Sequence, residues 1–207
     1  MNRKLFLTVP VRTDQEQIKD MIYQALTDDL LSRGIKIRGI MERNDVNLRT
    51  LEGLEEGKGW YTGGGIPCPD DRENTRVEIT ENGIKYDVDY INGQKTGFFL
   101  DQKYNRLAVG KIAKGRRVLD CFTHTGAFAL NAAMGGAERV TAVDISAQAI
   151  ELAKANAARN GIEMDFIIRD EQNIIPVEVK ASDNSTYSFN HSYETCILIS
   201  LLMCYAS

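Results

Sequence analysis

The sequence has few of the residues that would mark a disulfide-bonded or metal-binding protein. It holds four cysteines and two histidines in 207 residues, and no two cysteines form a CxxC pair. Cysteines this far apart do not make the framework of a small secreted domain, and they argue against a zinc site. We therefore expect neither disulfides nor a bound metal.

The sequence also lacks long apolar runs and an excess of positive charge. No run reaches the roughly 18 apolar residues that a membrane-spanning helix needs, and the first residues become charged too early for a secretory signal. We therefore expect a cytoplasmic protein with no membrane association. The net charge of −4 excludes a strongly basic nucleic-acid binder, although a local RNA-binding patch stays possible.

Residues 1–91 have the pattern of a small α+β module. A strand over residues 3–9 precedes a helix whose cap is Thr13 or Asp14, and Gly34 ends that helix. The apolar positions that define its predicted face are Ile18, Met21, Ile22, Ala25, Leu26 and Leu30. We expect a further strand over 35–41, a loop over 42–75 with a short strand at 59–62, and an Asn-Gly hairpin joining strands 76–80 and 84–91.

From residue 101 onward, helices and short apolar strands alternate. The predicted helices cover residues 101–113, 126–134 and 147–160, the last capped by Ser146, and the predicted strands cover residues 118–121 and 140–144. Such alternation is typical of a parallel sheet with crossover helices. Counting residues 166–168 as a further candidate, we expect at most three strands.

The segment 117–128 carries the chemistry. An apolar strand ends at Asp120, a short polar loop follows, and Gly126 opens a helix. The next strand ends at Asp144, about twenty residues further on, where a carboxylate can accept hydrogen bonds from ribose hydroxyls. Ligands of open parallel sheets bind at this edge. On spacing alone, the alternative to a cofactor site is an ordinary strand, loop and helix that binds no ligand.

The glycine content of this loop favours one cofactor over another. Gly126 is its only glycine, so the loop lacks the GxGxxG pattern that cradles a pyrophosphate. S-adenosylmethionine has no phosphates, and its sulfonium and α-amino groups suit a nearby carboxylate such as Asp120. A nicotinamide cofactor is the weaker interpretation.

Several longer motifs resemble one family of enzymes. They are NGQKTGFFLDQKYNR at 92–106, ERND at 42–45, RTLEGL at 49–54 and D-x-F-x-x-x-G at 120–126. Together they span about residues 30–163 and resemble the class I methyltransferases related to the 23S rRNA cytosine carbon-5 methyltransferase. We therefore expect an α/β chain with a small N-terminal α+β module (1–91, which presents RNA by the resemblance), a truncated Rossmann-like domain (92–168) and an unrelated or irregular tail (169–207).

The resemblance further implies S-adenosylmethionine as cofactor, ribosomal RNA as partner, and eight cofactor-binding residues: Gln102, Arg106, Asp120, Phe122, Thr125, Gly126, Asp144 and Ile145. Gln102 and Arg106 would approach the methionine end, and Asp144 with Ile145 would hold the ribose and adenine. Structural alternatives stay open, with Arg106 on a solvated helix face and Phe122 in the core. The cations around residues 103–117 could meet RNA phosphates or simply face solvent.

Family members continue to an Asp-Pro-Pro-like motif and to a cysteine that attacks carbon 6 of the base, and neither stands in this chain. We therefore assign no catalytic residue and expect Cys121 to be a small buried residue. We expect weak or no cofactor binding and no methyl transfer by this chain alone. A non-catalytic RNA-binding fragment is the alternative function.

The segment around residues 165–181 is similar to the PD-(D/E)xK nuclease-like end of certain ATPase-family proteins. Asp165, Glu178 and Lys180 would be its functional positions. An inert hairpin is one alternative, and a third sheet strand at 166–168 is another. We hypothesise that the reading frame joins two unrelated pieces, which sequencing the locus across this segment would test.

Overall fold

The computed structural model describes residues 5–9, 13–45, 48–51, 53–69, 74–94, 96–169, 174–177 and 196–200. Contacts divide the chain into two compact units, Met1–Val77 with Val88–Phe98 and Glu78–Asp87 with Phe99–Ser207. The predicted domains 1–91, 92–168 and 169–207 remain a prediction. Among the described helices, none combines the length and the apolar character needed to cross a membrane.

The described residues of the first unit form a three-stranded sheet and three helices. In chain order its elements are β1 (Leu5–Val9), α1 (Thr13–Glu16), α2 (Lys19–Ser32), β2 (Ile37–Asn44), α3 (Leu48–Leu51) and β3 (Gly57–Trp60). Strand β2 is central, parallel to β1 and antiparallel to β3. The predicted strand at 35–41 therefore begins later and extends further, into the segment that we expected to be loop.

Helix α2 forms where the apolar spacing predicts it, but a different face is buried. Tyr23 and Thr27 are its buried residues, while Ile18, Met21 and Ile22 are exposed. The Tyr23 ring packs in one hydrophobic cluster with Ile40, Tyr61 and Ile66. Its hydroxyl donates to Glu42 Oε1 at 3.1 Å. The buried face of α2 therefore contains an aromatic residue with a polar end, which was not among the apolar residues predicted for that face.

Arg43, in the ERND motif, holds a tight loop of the first unit. Its guanidinium donates to both carboxylate oxygens of Asp45 at 2.9 and 3.0 Å and to the carbonyl oxygens of Tyr90 and Gly93 at 2.9 and 3.2 Å. Gly97 has φ of 80°, and a Cβ there would overlap the Asp89 carbonyl. The NGQKTG segment thus needs glycine for steric reasons.

The described residues of the second unit form a five-stranded sheet, two strands more than the three expected. Its elements after a 3-10 turn (Leu100–Gln102) are α4 (Lys103–Ile112), β6 (Arg117–Cys121), α5 (Ala127–Met134), β7 (Arg139–Asp144), α6 (Ala147–Arg159), β8 (Asp165–Arg169), β9 (Ile174–Val177) and β10 (Cys196–Ser200). The strand order is β10-β6-β7-β8-β9. All pairs are parallel except β8 with β9. The α/β fold with a parallel sheet is confirmed.

The segment that resembles a nuclease supplies two strands of this sheet, β8 and β9, which pair in antiparallel as the hairpin alternative predicts. Strand β8 pairs with β7 in parallel, as the third-strand alternative predicts, and Asp165 Oδ2 accepts a 2.6 Å hydrogen bond from Arg139. Glu178 and Lys180 lie outside the described residues. The described part of the segment is therefore accounted for by the sheet.

A hairpin of β4 (Arg76–Glu81) and β5 (Ile84–Asp89) contributes its tip, residues 78–87, to the second unit. Side-chain amides of α6 hydrogen-bond to the backbone of β5. Asn156 Oδ1 accepts from the Asp87 amide at 2.8 Å, and Asn160 bonds both the amide and the carbonyl of Lys85 at 2.9 and 2.7 Å. These contacts satisfy backbone groups of β5 without a third strand.

A buried ion pair joins this tip to α4. Arg106 donates to the two Glu81 carboxylate oxygens at 2.6 and 2.9 Å and to the Phe99 carbonyl at 2.9 Å. Their side chains are only 2% and 6% exposed. Because burial of either charge alone is costly, each partner depends on the other.

We therefore expect Glu81→Gln to lower the free energy of unfolding by about 3–5 kcal/mol, since Arg106 would keep a buried charge without its carboxylate. Glu78→Gln is the matched control, because its pair with Arg159 is 46% and 40% exposed and should contribute less than about 1 kcal/mol. Urea unfolding of both variants tests this. Equal losses would show that burial does not make the Glu81 pair special.

Candidate cofactor-binding site

The site lies where parallel strands β6 and β7 end at the same edge of the sheet. Cys121, the last residue of β6, pairs with Val143, and Asp144 ends β7. The β6–α5 loop (residues 122–126) begins at this edge. The sequence therefore brings its two predicted carboxylates to adjacent strand ends, as expected for a parallel pair.

The β6–α5 loop has a tightly wound backbone. Phe122, His124 and Gly126 have φ of 62°, 52° and 80°. Only glycine adopts such values without strain, so the other two residues must be held there by the surroundings. Backbone hydrogen bonds from Thr123 to the Val143 carbonyl and from Gly126 to the Thr123 carbonyl, at 3.0 and 2.9 Å, help to hold them.

Asp120 anchors the inner side of the β6–α5 loop. Its Oδ2 accepts from Thr123 Oγ at 2.6 Å and from the Ala129 amide at 3.0 Å. The residue is fully buried. A carboxylate at the end of β6 thus fixes both the loop and the first turn of α5. This agrees with the strand, loop and helix predicted for residues 117–128.

The other oxygen of Asp120 is the unusual feature of the site. Among the described residues, Oδ1 has no hydrogen-bond partner although it is buried. Burial raises the pKa of Asp120, the hydrogen bonds from Thr123 and Ala129 lower it, and the negative charge of Asp144 raises it, so that together they bring it to about 6. A cationic ligand group would satisfy this oxygen, so the arrangement fits S-adenosylmethionine.

Asp144 anchors the outer side of the β6–α5 loop. Its Oδ2 accepts from the His124 amide at 2.8 Å, and its Oδ1 accepts from the Ser146 amide at 2.9 Å. Ser146 caps α6 by accepting from the Ala149 amide at 3.2 Å, as predicted. Asp144 is half-buried, and each of its carboxylate oxygens keeps a further lone pair for a ligand hydroxyl.

Thr125 and Gly126 pack the β6–α5 loop against α6. Thr125 is buried, and its carbonyl accepts from Asn156 Nδ2 at 3.2 Å. A Cβ at Gly126 would lie 3.0 Å from Ala153 Cβ. Glycine at this position therefore permits both the positive φ and the close approach to α6.

Phe122 and Ile145 are apolar residues exposed at the carboxyl ends of β6 and β7. Phe122 is 61% exposed and Ile145 is 64% exposed. Phe122 is thus not the core residue that was its structural alternative. Large exposed apolar side chains beside polar groups are common features of ligand sites.

The structure places Gln102 and Arg106 in local interactions of the second unit. Gln102 donates to Asp101 at 2.8 Å and accepts from Asn105 at 2.9 Å, and Arg106 is in the buried pair with Glu81. Arg106 is therefore not on a solvated helix face. Contact of either residue with the cofactor remains a prediction.

Two residues near the site, His124 and Phe99, were not predicted from the sequence. The His124 amide binds Asp144, and its ring meets the Phe99 ring edge-on at 5.9 Å. Burial lowers the pKa of His124, opposed by the charge of Asp144. The strand-end position of the β6–α5 loop was a signal for His124, whereas nothing local in the sequence indicates Phe99. Cys121 is half-buried, somewhat more exposed than expected.

Comparisons with known proteins agree with this geometry. The profile of a family described as S-adenosylmethionine-dependent methyltransferase matches residues 70–172. The ribosomal RNA large subunit methyltransferase I of Pseudoalteromonas translucida is 44% identical over 128 residues, 62% of this chain. The chain spans about a third of the length of the curated relatives it matches, 31% in this case.

Two solved structures share the fold at 28% identity and a TM-score of 0.60. One is described as a SAM-dependent methyltransferase from Streptococcus mutans, and the other as a methyltransferase complexed with SAH. Each comparison covers 80% of this chain and 40% of the other. Residues 70–172 therefore match the family of S-adenosylmethionine-dependent methyltransferases in both sequence and fold.

Proposed function

We propose that the chain is part of an S-adenosylmethionine-dependent methyltransferase that acts on ribosomal RNA. The observation that supports it most is the pair Asp120 and Asp144 around the β6–α5 loop, with a buried carboxylate oxygen that has no described partner. The similarity to ribosomal RNA large subunit methyltransferases supports the substrate class. We propose cytosine carbon 5 of large-subunit rRNA as the target and the cytoplasm as the location, on the family resemblance.

The residues of this site are suited to different parts of the cofactor. The Asp144 carboxylate would accept hydrogen bonds from the ribose hydroxyls, and Phe122 and Ile145 would offer apolar surface to the adenine. Asp120 would balance the positive charge at the methionine end. When bound, S-adenosylmethionine supplies an electrophilic methyl group.

The residues of the cofactor site can bind the cofactor without a catalytic side chain from this chain. These residues bind and orient, and Cys121, the last residue of strand β6, is half-buried. We assign no catalytic residue among the described ones. The part that acts on the base is therefore outside this proposal.

We expect this chain to bind S-adenosylhomocysteine weakly, and Asp144→Asn to weaken that binding by at least about tenfold more, because a charged acceptor of ligand hydrogen bonds is lost. Asp165→Asn is the control, since it removes a carboxylate that pairs with Arg139 on the surface. Isothermal titration measures both affinities, and circular dichroism checks the fold. Unchanged affinity in Asp144→Asn would refute the assignment of this residue.

We expect the affinity for S-adenosylmethionine to rise about tenfold between pH 5 and pH 7, because the pKa of Asp120 is raised to about 6 and only its ionised form attracts a cation. Below this pKa the carboxyl is neutral and the attraction is lost. The variant Asp120→Asn should bind weakly at both pH values.

Any pH dependence that Asp120→Asn retains belongs to other groups, such as His124. Titration of the unaltered chain and this variant across the pH range separates the two contributions. A flat profile for the unaltered chain would contradict the role of Asp120.

A further inference from the structure

We infer that the exposed side of α4 binds single-stranded RNA, with Tyr104 stacking on a base and Lys103 and Lys111 contacting phosphates. We call Lys103, Tyr104, Leu107 and Lys111 the α4 surface. This inference rests on the proposed function, because it names where the RNA substrate of the same site would lie. It uses residues that the cofactor site does not.

The charge of this part of the chain has one sign. Residues 103–117 contain six cationic residues and no acidic one, although the whole chain has a net charge of −4. Arg106 is buried against Glu81 and so contributes nothing to the surface. The remaining cations, Lys103, Lys111, Lys114, Arg116 and Arg117, are all exposed. A chain that is acidic overall can hold a polyanion only through such a local basic region.

The α4 surface also exposes an aromatic ring. Tyr104 is 75% exposed, and Lys103 Nζ lies 6.0 Å from its ring centroid. Lys103 and Lys111 stand eight residues apart, about 12 Å along a helix, with Leu107 between them. An exposed aromatic ring between cations suits unpaired nucleotides, which present bases and phosphates together. An acidic protein would also match the charge, but its binding would not require stacking on an exposed aromatic ring.

The α4 surface begins beside the candidate cofactor site. Phe99 immediately precedes the turn that leads into α4, and its ring contacts that of His124 in the β6–α5 loop. Because α4 starts next to this loop, RNA bound along Tyr104 and Lys103 would pass the edge of the sheet where the cofactor is proposed to bind.

Binding of a short single-stranded RNA oligonucleotide of mixed sequence tests the inference, measured by fluorescence anisotropy from about 50 to 200 mM salt. We expect K103E/K111E to weaken binding at least about tenfold and to reduce the salt slope by about 1.4, or about 0.7 per lost phosphate contact. Tyr104→Ala should weaken binding about five- to 150-fold, and Tyr104→Phe should not, because stacking needs only the ring.

The control is K36E/K85E, which changes the net charge equally at two exposed lysines outside the α4 surface. Equal losses in K103E/K111E and K36E/K85E, or no RNA binding by the unaltered chain at low salt, would overturn the inference. So would a change in oligomeric state on Tyr104→Ala with unchanged RNA affinity, since the surface would then be a protein interface.

Titration with S-adenosylhomocysteine separates this inference from the proposed function. K103E/K111E should bind it as the unaltered chain does, because neither lysine belongs to the cofactor site. If the chain binds RNA through the α4 surface but does not bind S-adenosylhomocysteine, the proposed function fails and the surface assignment stands. The opposite result removes the surface and leaves the proposed function intact.

Discussion

The candidate site depends on a loop held between two carboxylates at adjacent strand ends. Asp120 fixes the loop from within through Thr123, and Asp144 fixes it from outside through the His124 amide. Backbone at positive φ in residues other than glycine costs of order 1–3 kcal/mol per residue. Without both carboxylates, the β6–α5 loop would lose the hydrogen bonds that offset the cost of holding Phe122 and His124 at positive φ.

The same two carboxylates also set the charge of the site. The buried position of Asp120 and the nearby charge of Asp144 make ionisation of Asp120 unfavourable, which is why its pKa is raised. A cation placed beside them would relieve both costs. Loop geometry and ligand preference therefore follow from one arrangement, and a neutral ligand of the same shape would gain less from it.

Local patterns in the sequence predicted much of this arrangement. Asp120 and Asp144 were found because strands of a parallel sheet end at one edge, and Ser146 was found because caps have a local signature. The role of Arg106 could not be found in this way, since its partner Glu81 lies on a hairpin 25 residues earlier. Likewise, the apolar count on α2 favoured Met21 and Ile22, whereas the core takes Tyr23, whose hydroxyl reaches Glu42. The pairing of β10 with β6 depends on contacts far apart in the chain, which no local pattern records.

Helix α4 has one side with a buried, paired cation and another side with cations exposed to solvent. On one side Arg106 is neutralised by Glu81 and fixes the hairpin tip, and on the other Lys103 and Lys111 remain in solvent. Because the inner cation is already paired with a carboxylate, the basic character of the helix is confined to its outer side. A polyanion approaching the second unit would therefore meet Tyr104 and its neighbouring lysines, beside the loop at which the cofactor is proposed to bind.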